Sequence, residues 1–84
     1  MYQVILKKDA VKHLKKLDRR LKPKIFYLLL QLRTNPYLGK PLLGFLQGYY
    51  SLRIWPYRIL YTINKRELLV IIIDIDHRQN IYQN

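Results

Sequence analysis

Hydrophobic and polar positions alternate at the start of the chain, and Tyr2–Leu6 is predicted to form a first strand. The period then lengthens. Val11, Leu14, Leu17 and Leu21 recur three and four residues apart, with Lys12, Lys15, Lys16, Arg19 and Arg20 between them. That spacing predicts an amphipathic helix with a basic outer face. Asp9 falls where a cap or first-turn acid supports the helix start. Pro23 marks a second start, because proline suits the first helical turn. Ile25, Phe26, Leu28, Leu29 and Leu32 then carry a broader apolar stripe to Arg33, just before Asn35-Pro36. Two helices on so short a connection form an antiparallel hairpin.

The stretch from Asn35 to Gly48 holds Pro36, Gly39, Pro41 and Gly44 and reads as an ordered loop. Leu42, Leu43, Phe45 and Leu46 are expected to pin it to the core. Beyond it, Tyr49–Trp55, Tyr57–Asn64 and Glu67–Ile75 read as strands, with turns near Pro56 and at Lys65-Arg66. Connections this short make an antiparallel meander. The last strand is apolar at nearly every position, which predicts a central strand covered on both faces. Asp76 to Asn84 is a polar tail. The order is β-α-α-β-β-β, an α+β fold whose N-terminal helical hairpin packs on one face of a small, mainly antiparallel sheet. Residues 1–84 are read as a single domain, without internal repeats.

Charge narrows the function. Sixteen Lys and Arg face only five acids, for a formal net charge of +11 on 84 residues. Such a field favours anionic partners, and basic excess is a poor route to mere solubility. Nucleic acid, a ribosome, an anionic membrane or an acidic protein would satisfy it. There is no cysteine, so thiol chemistry is excluded. No signal-peptide pattern follows Met1, and the apolar run Leu68–Ile73 is too short to span a bilayer. A cytoplasmic protein without membrane contact is expected.

The candidate chemistry lies around Pro56. A hairpin centred on Trp55-Pro56 pairs Ile54 with Tyr57, Leu52 with Ile59 and Tyr50 with Tyr61 on a core face. The same register sets Arg53 opposite Arg58 on the other face, and a one-residue slip would mix the two sets. Like charges facing across a strand pair are destabilising, so a phosphate held between two guanidiniums is one reading. The alternatives are that both arginines splay into solvent, or that Asp74 or Asp76 neutralises one. His77, Arg78 and Tyr82 follow the last strand and are expected near the sheet's open face. His77 is the natural acid or base there, although a lone histidine is more often structural. Trp55 either stacks on a base or packs on its own sheet. His13 has no informative spacing. No Gly-rich phosphate loop, metal-ligand spacing or Ser/His/Asp arrangement is visible, so neither metal nor cofactor is expected.

Several segments together resemble the RelE/ParE superfamily of toxins. They are Asn35-Pro36, Gly39-Lys40-Pro41-Leu42, Gly48-Tyr49-Tyr50-Ser51-Leu52-Arg53-Ile54, Tyr57-Arg58-Ile59-Leu60-Tyr61 and the ending His77-Arg78 with Tyr82. Ala10, Leu14, Lys15, Lys16 and Leu17 of the first helix fit as well. The resemblance covers nearly the whole chain in order. It implies a RelE-like fold, similar to microbial ribonucleases, and a toxin silenced by an antitoxin that wraps it. The antitoxin is expected to be acidic, in a complex that can be heterotetrameric and bind DNA through the antitoxin.

In the RelE branch the implied activity is metal-independent cleavage of mRNA in the ribosomal A site. Arg58 matches the strand arginine that grips the scissile phosphate, Arg53 a basic position on the preceding strand, and Arg78 the C-terminal phosphate-binding arginine. Tyr82 falls near a C-terminal tyrosine. Ser51 departs from the pattern, standing where some members carry a second strand lysine. That leaves the general base open, with His77 as candidate base or acid. Lys12, Lys15, Lys16, Arg19 and Arg20 are candidate RNA contacts, or else a solvated helix face. The alternative reading is a ParE-like inhibitor of DNA gyrase that binds without catalysis.

Overall fold

The computed structural model describes residues 1–77. The elements are β1 (Gln3–Leu6), α1 (Lys8–Lys16), α2 (Lys22–Thr34), β2 (Lys40–Pro41), β3 (Tyr49–Ile54), β4 (Tyr57–Asn64) and β5 (Leu69–His77). The expected order is present, with the two-residue β2 added inside the loop. The five strands form one sheet in the order β1-β5-β4-β3-β2. β1 runs parallel to β5, and every other pairing is antiparallel.

One face of the sheet carries the core. Ile59, Tyr61, Val70, Ile72 and Ile75 are fully buried there, against Ala10, Leu17, Ile25, Leu29 and Leu32 of the helical layer. β5 is interior in the sheet, as its composition predicts, but its second face is only half-buried.

Two expectations need correction. α1 ends at Lys16 instead of running on to Leu21. Leu17 turns extended, and the Asp18 carboxylate accepts the Arg20 amide at 2.9 Å, a local bond that competes with helix continuation. In the loop, Leu42 and Leu46 are half-buried, whereas Leu43 and Phe45 are 86% and 82% exposed. A single 3-10 turn at Gly44–Leu46 points alternate side chains outward, so only half the apolar set can reach the core.

The loop is anchored instead through Tyr61. Its buried hydroxyl donates to the Pro36 carbonyl at 2.8 Å and accepts from the Gly39 amide at 2.8 Å. A Cβ at Gly39 would stand 2.7 Å from that hydroxyl and 2.9 Å from the Ser51 carbonyl oxygen, which requires glycine. Tyr50 stacks on Tyr61 with ring centroids 5.4 Å apart, closing the apolar side of the brace.

One irregularity decides which side chains share a face. Leu60 pairs with Asp74 but Tyr61 pairs with Ile72, so Ile73 is a bulged extra residue in β5. Strict alternation would place Val70, Ile72, Asp74 and Asp76 together in the core. The bulge keeps Ile72 and Ile75 on the core face and moves Asp74 and Asp76 to the other.

Candidate functional site

The β3–β4 hairpin has the register its pattern predicts. Tyr50 pairs with Tyr61, Leu52 with Ile59 and Ile54 with Tyr57, all on the core face. Arg53 is therefore opposite Arg58 on the face turned away from the helices. Arg53 is exposed and Arg58 half-buried. Two guanidiniums set opposite each other across a ladder make a concentrated positive patch suited to an anion with paired oxygens.

A third cation joins this face from β2. Lys40 is the cross-strand partner of Ser51, and Ser51 is the cross-strand partner of Leu60, in the row beside Arg53 and Arg58. Gly39 lies against Tyr61 on the core side, so the neighbouring Lys40 alternates to the arginine side. Ser51 itself is 5% exposed and its Oγ has no hydrogen-bond partner among the described residues. The serine offers no charge, and the strand beside it does. Sequence reading missed Lys40 because a two-residue strand leaves no periodic signal.

Asp76 completes the row as the cross-strand neighbour of Arg58. Asp74 and Asp76 also meet a histidine from α1. His13 Nδ1 lies 2.6 Å from Asp74 Oδ1 and 3.9 Å from Asp76 Oδ2. Sequence spacing gave His13 no role and showed no metal-ligand set, because these residues come together only through the packing of α1 on β5. Their donor atoms all lie within 4.8 Å of one another, and one imidazole with two carboxylates is a donor set suited to a divalent transition metal.

His77 does not join the arginines. It pairs with Tyr57 on the core face, and the two rings meet edge to face at 5.9 Å. The expectation of an imidazole on the open face is corrected by the bulge at Ile73, which inverts the parity of the strand end. Arg78 and Tyr82 lie outside the described residues. Trp55, at the hairpin tip, is 61% exposed.

Lys12, Lys15, Lys16, Arg19 and Arg20 are all exposed, the first three on α1 and the two arginines beyond its end. Lys8, Val11, Lys12, Lys15 and Lys16 line a groove of about 570 Å³ with aliphatic stems below and ammonium groups at the rim. Arg20 is engaged with Asp18 at 3.2 Å, and its hydrogen bonds hold the Asp18 carboxyl below its ordinary range. The basic surface is thus a spread of exposed cations, of which Arg20 is paired with Asp18. No helix among the described residues is long and apolar enough to cross a membrane.

Comparison with known proteins gives a consistent result. Residues 4–82 match the model of the ParE toxin family of type II toxin–antitoxin systems. Toxin RelG from Mycobacterium tuberculosis is 44% identical over 46 residues, which span 55% of this chain and 53% of that protein, about half its length. A chain of the toxin–antitoxin complex RelBE2 from M. tuberculosis superposes with a TM-score of 0.83 at 34% identity, covering 92% of this chain and 98% of the other. The isolated E. coli RelE toxin shares the fold, with a TM-score of 0.82 at 20% identity over 98% of this chain and 92% of that one.

Proposed function

Because this chain belongs to the RelE/ParE superfamily of type II toxin–antitoxin toxins, we propose that it is a ribosome-dependent endoribonuclease acting on mRNA. The observation that carries this reading is the Arg53–Arg58 pair, two cations set opposite each other by the register of β3 and β4. A backbone phosphate seated between them, with Lys40 alongside, relieves their repulsion. Attack by the adjacent 2′-hydroxyl forms a new oxygen–phosphorus bond and expels the 5′-oxygen, and charge builds on the phosphoryl oxygens meanwhile. Fixed cations facing that charge are usually the largest part of such catalysis. Arg78 supplies a further guanidinium, and Tyr82 moves the protons. The basic surface around α1 holds the surrounding RNA.

An acidic antitoxin is the proposed silencing partner. Chains of similar fold occur in toxin–antitoxin complexes from M. tuberculosis and E. coli. The +11 charge provides attraction, and Phe26 and Leu30, which line an apolar groove with Val4, Leu6 and Arg33, provide contact area. Binding only the folded toxin, it would raise the toxin's stability.

The second reading is gyrase inhibition without catalysis. Ser51 and the placement of His77 on the core face favour it, since among the described residues neither position supplies a proton-transfer group beside the arginines. Growth arrest by Arg58→Ala tests between the two. Loss of arrest with antitoxin binding intact supports the ribonuclease, and supercoiling blocked by the purified protein supports the inhibitor.

A further inference from the structure

At the closed end of the β3–β4 hairpin, Ile54, Pro56 and Tyr57 are half-buried, and Trp55 is 61% exposed. Ile54 and Tyr57 form the last ladder pair and pack against the core. The Tyr57 ring also meets His77 edge to face at 5.9 Å. The tip is thereby anchored on both sides of Trp55, and Pro56 restricts φ within it. Anchoring of this kind holds the indole at a defined place without covering it. Packing on its own sheet, one of the two roles open to a tryptophan at a hairpin end, would bury most of the ring.

The same two strands set cations beside the ring. Arg53 is exposed and stands two residues before Trp55, about 7 Å along the strand, which is the span of one extended nucleotide. Arg58, the cross-strand partner of Arg53, follows Trp55 by the same short connection. Lys40 continues the row farther from the tip, across from Ser51. A row of cations that ends on an open aromatic ring suits single-stranded nucleic acid. The cations take the backbone, and the π face takes a base.

We infer that Trp55 is a stacking platform for a base next to the phosphate held at Arg53 and Arg58. This role rests on the reading of that pair as a phosphate site and adds to it a contact with the base. Trp55 and Arg58 have other contacts within the chain, and these are compatible with it. A residue 61% exposed keeps an open ring face, and a guanidinium has several N–H donors to share. Cations alone leave the nucleotide free to turn about its phosphate. Stacking removes that freedom and accepts any base, because every base has a π face.

Trp55 is the only tryptophan of the chain, so tryptophan emission reports this ring directly. The test titrates the purified protein with short deoxyribonucleotide strands, which lack the attacking 2′-hydroxyl. One carries adenine at every position, and the other is abasic and of equal length. The adenine strand is expected to quench the emission saturably and to bind roughly ten- to a hundredfold tighter than the abasic strand, the size of one stacked base. Measured by anisotropy of labelled strands, Trp55→Ala is expected to remove most of that difference and to bind the abasic strand like the parent. Trp55→Phe, which keeps a π face, is expected to retain part of it. Arg53→Ala is expected to weaken both strands alike. An adenine strand bound by Trp55→Ala as tightly as by the parent overturns the stacking role and leaves the anion site standing. Equal losses for both strands in Trp55→Ala overturn it too, since they mark a structural effect. Unchanged binding of both strands by Arg53→Ala overturns the anion site and the role of Trp55 with it. Amide spectra of each variant confirm that it is folded.

Discussion

Lys40 stands directly across the β2–β3 ladder from Ser51, bringing a cation to an uncharged position two residues before Arg53 on the arginine face. The two-residue β2 exists because Gly39 can lie flat against Tyr61, which holds the chain close enough to β3 for the pairing to form. A cation thus reaches the site by topology, from a segment whose sequence reads as loop.

Replacing Lys40 with alanine is expected to lower the cleavage rate by about ten- to a hundredfold. That is less than removal of a buried oxyanion donor, because an exposed charge is partly screened. Single-turnover cleavage and growth arrest both report it. Unchanged activity would remove Lys40 from the site.

The brace under β2 has a stability consequence. Gly39→Ala forces a methyl group against the Tyr61 hydroxyl and the Ser51 carbonyl and is expected to destabilise by about 1–3 kcal/mol. Tyr61→Phe strands the Gly39 amide and the Pro36 carbonyl, for a loss of about 1–3 kcal/mol. Urea midpoints of the purified variants measure both.

Burial pushes the Tyr61 hydroxyl above its ordinary pKa, opposed in part by the hydrogen bond from Gly39. The neutral phenol is therefore favoured by folding. Its contribution is complete below the unfolded tyrosine value of about 10 and is lost as pH rises through the higher folded value. Stability is expected to fall above about pH 10, less steeply in Tyr61→Phe. An equal alkaline slope in both proteins would show that Tyr61 is not the linked group.

The surface around α1 carries its own expectation. Lys12, Lys15 and Lys16 are exposed along one groove. If they contact RNA phosphates, their joint replacement by alanine lowers the slope of log affinity against log salt by about 2 for single-stranded RNA. An unchanged slope would make the helix face simply solvated.

Much of this architecture is legible in the residues. The hairpin register follows from Tyr50, Leu52 and Ile54 matching Tyr57, Ile59 and Tyr61, because one slip would bury arginine and expose isoleucine. The helical hairpin follows from leucine spacing and Pro23. What escaped was non-local. No local pattern announces the bulge at Ile73, yet it sends His77 to the core face and brings Asp76 beside Arg58. His13 looked idle because its partner Asp74 is 61 positions away. The outward turn of Leu43 and Phe45 was likewise hidden, since apolar composition records what a segment contains and not which way a short turn points it.

The most direct test of the ribonuclease is primer-extension mapping of an mRNA incubated with the purified protein, with and without translating ribosomes, beside Arg58→Ala. The expected result is cleavage only with ribosomes, reduced by about a thousandfold or more in the variant, as for removal of one arginine from other phosphoryl-transfer sites. Absence of cleavage in both conditions, or equal cleavage by Arg58→Ala, would contradict the site built on Arg53 and Arg58.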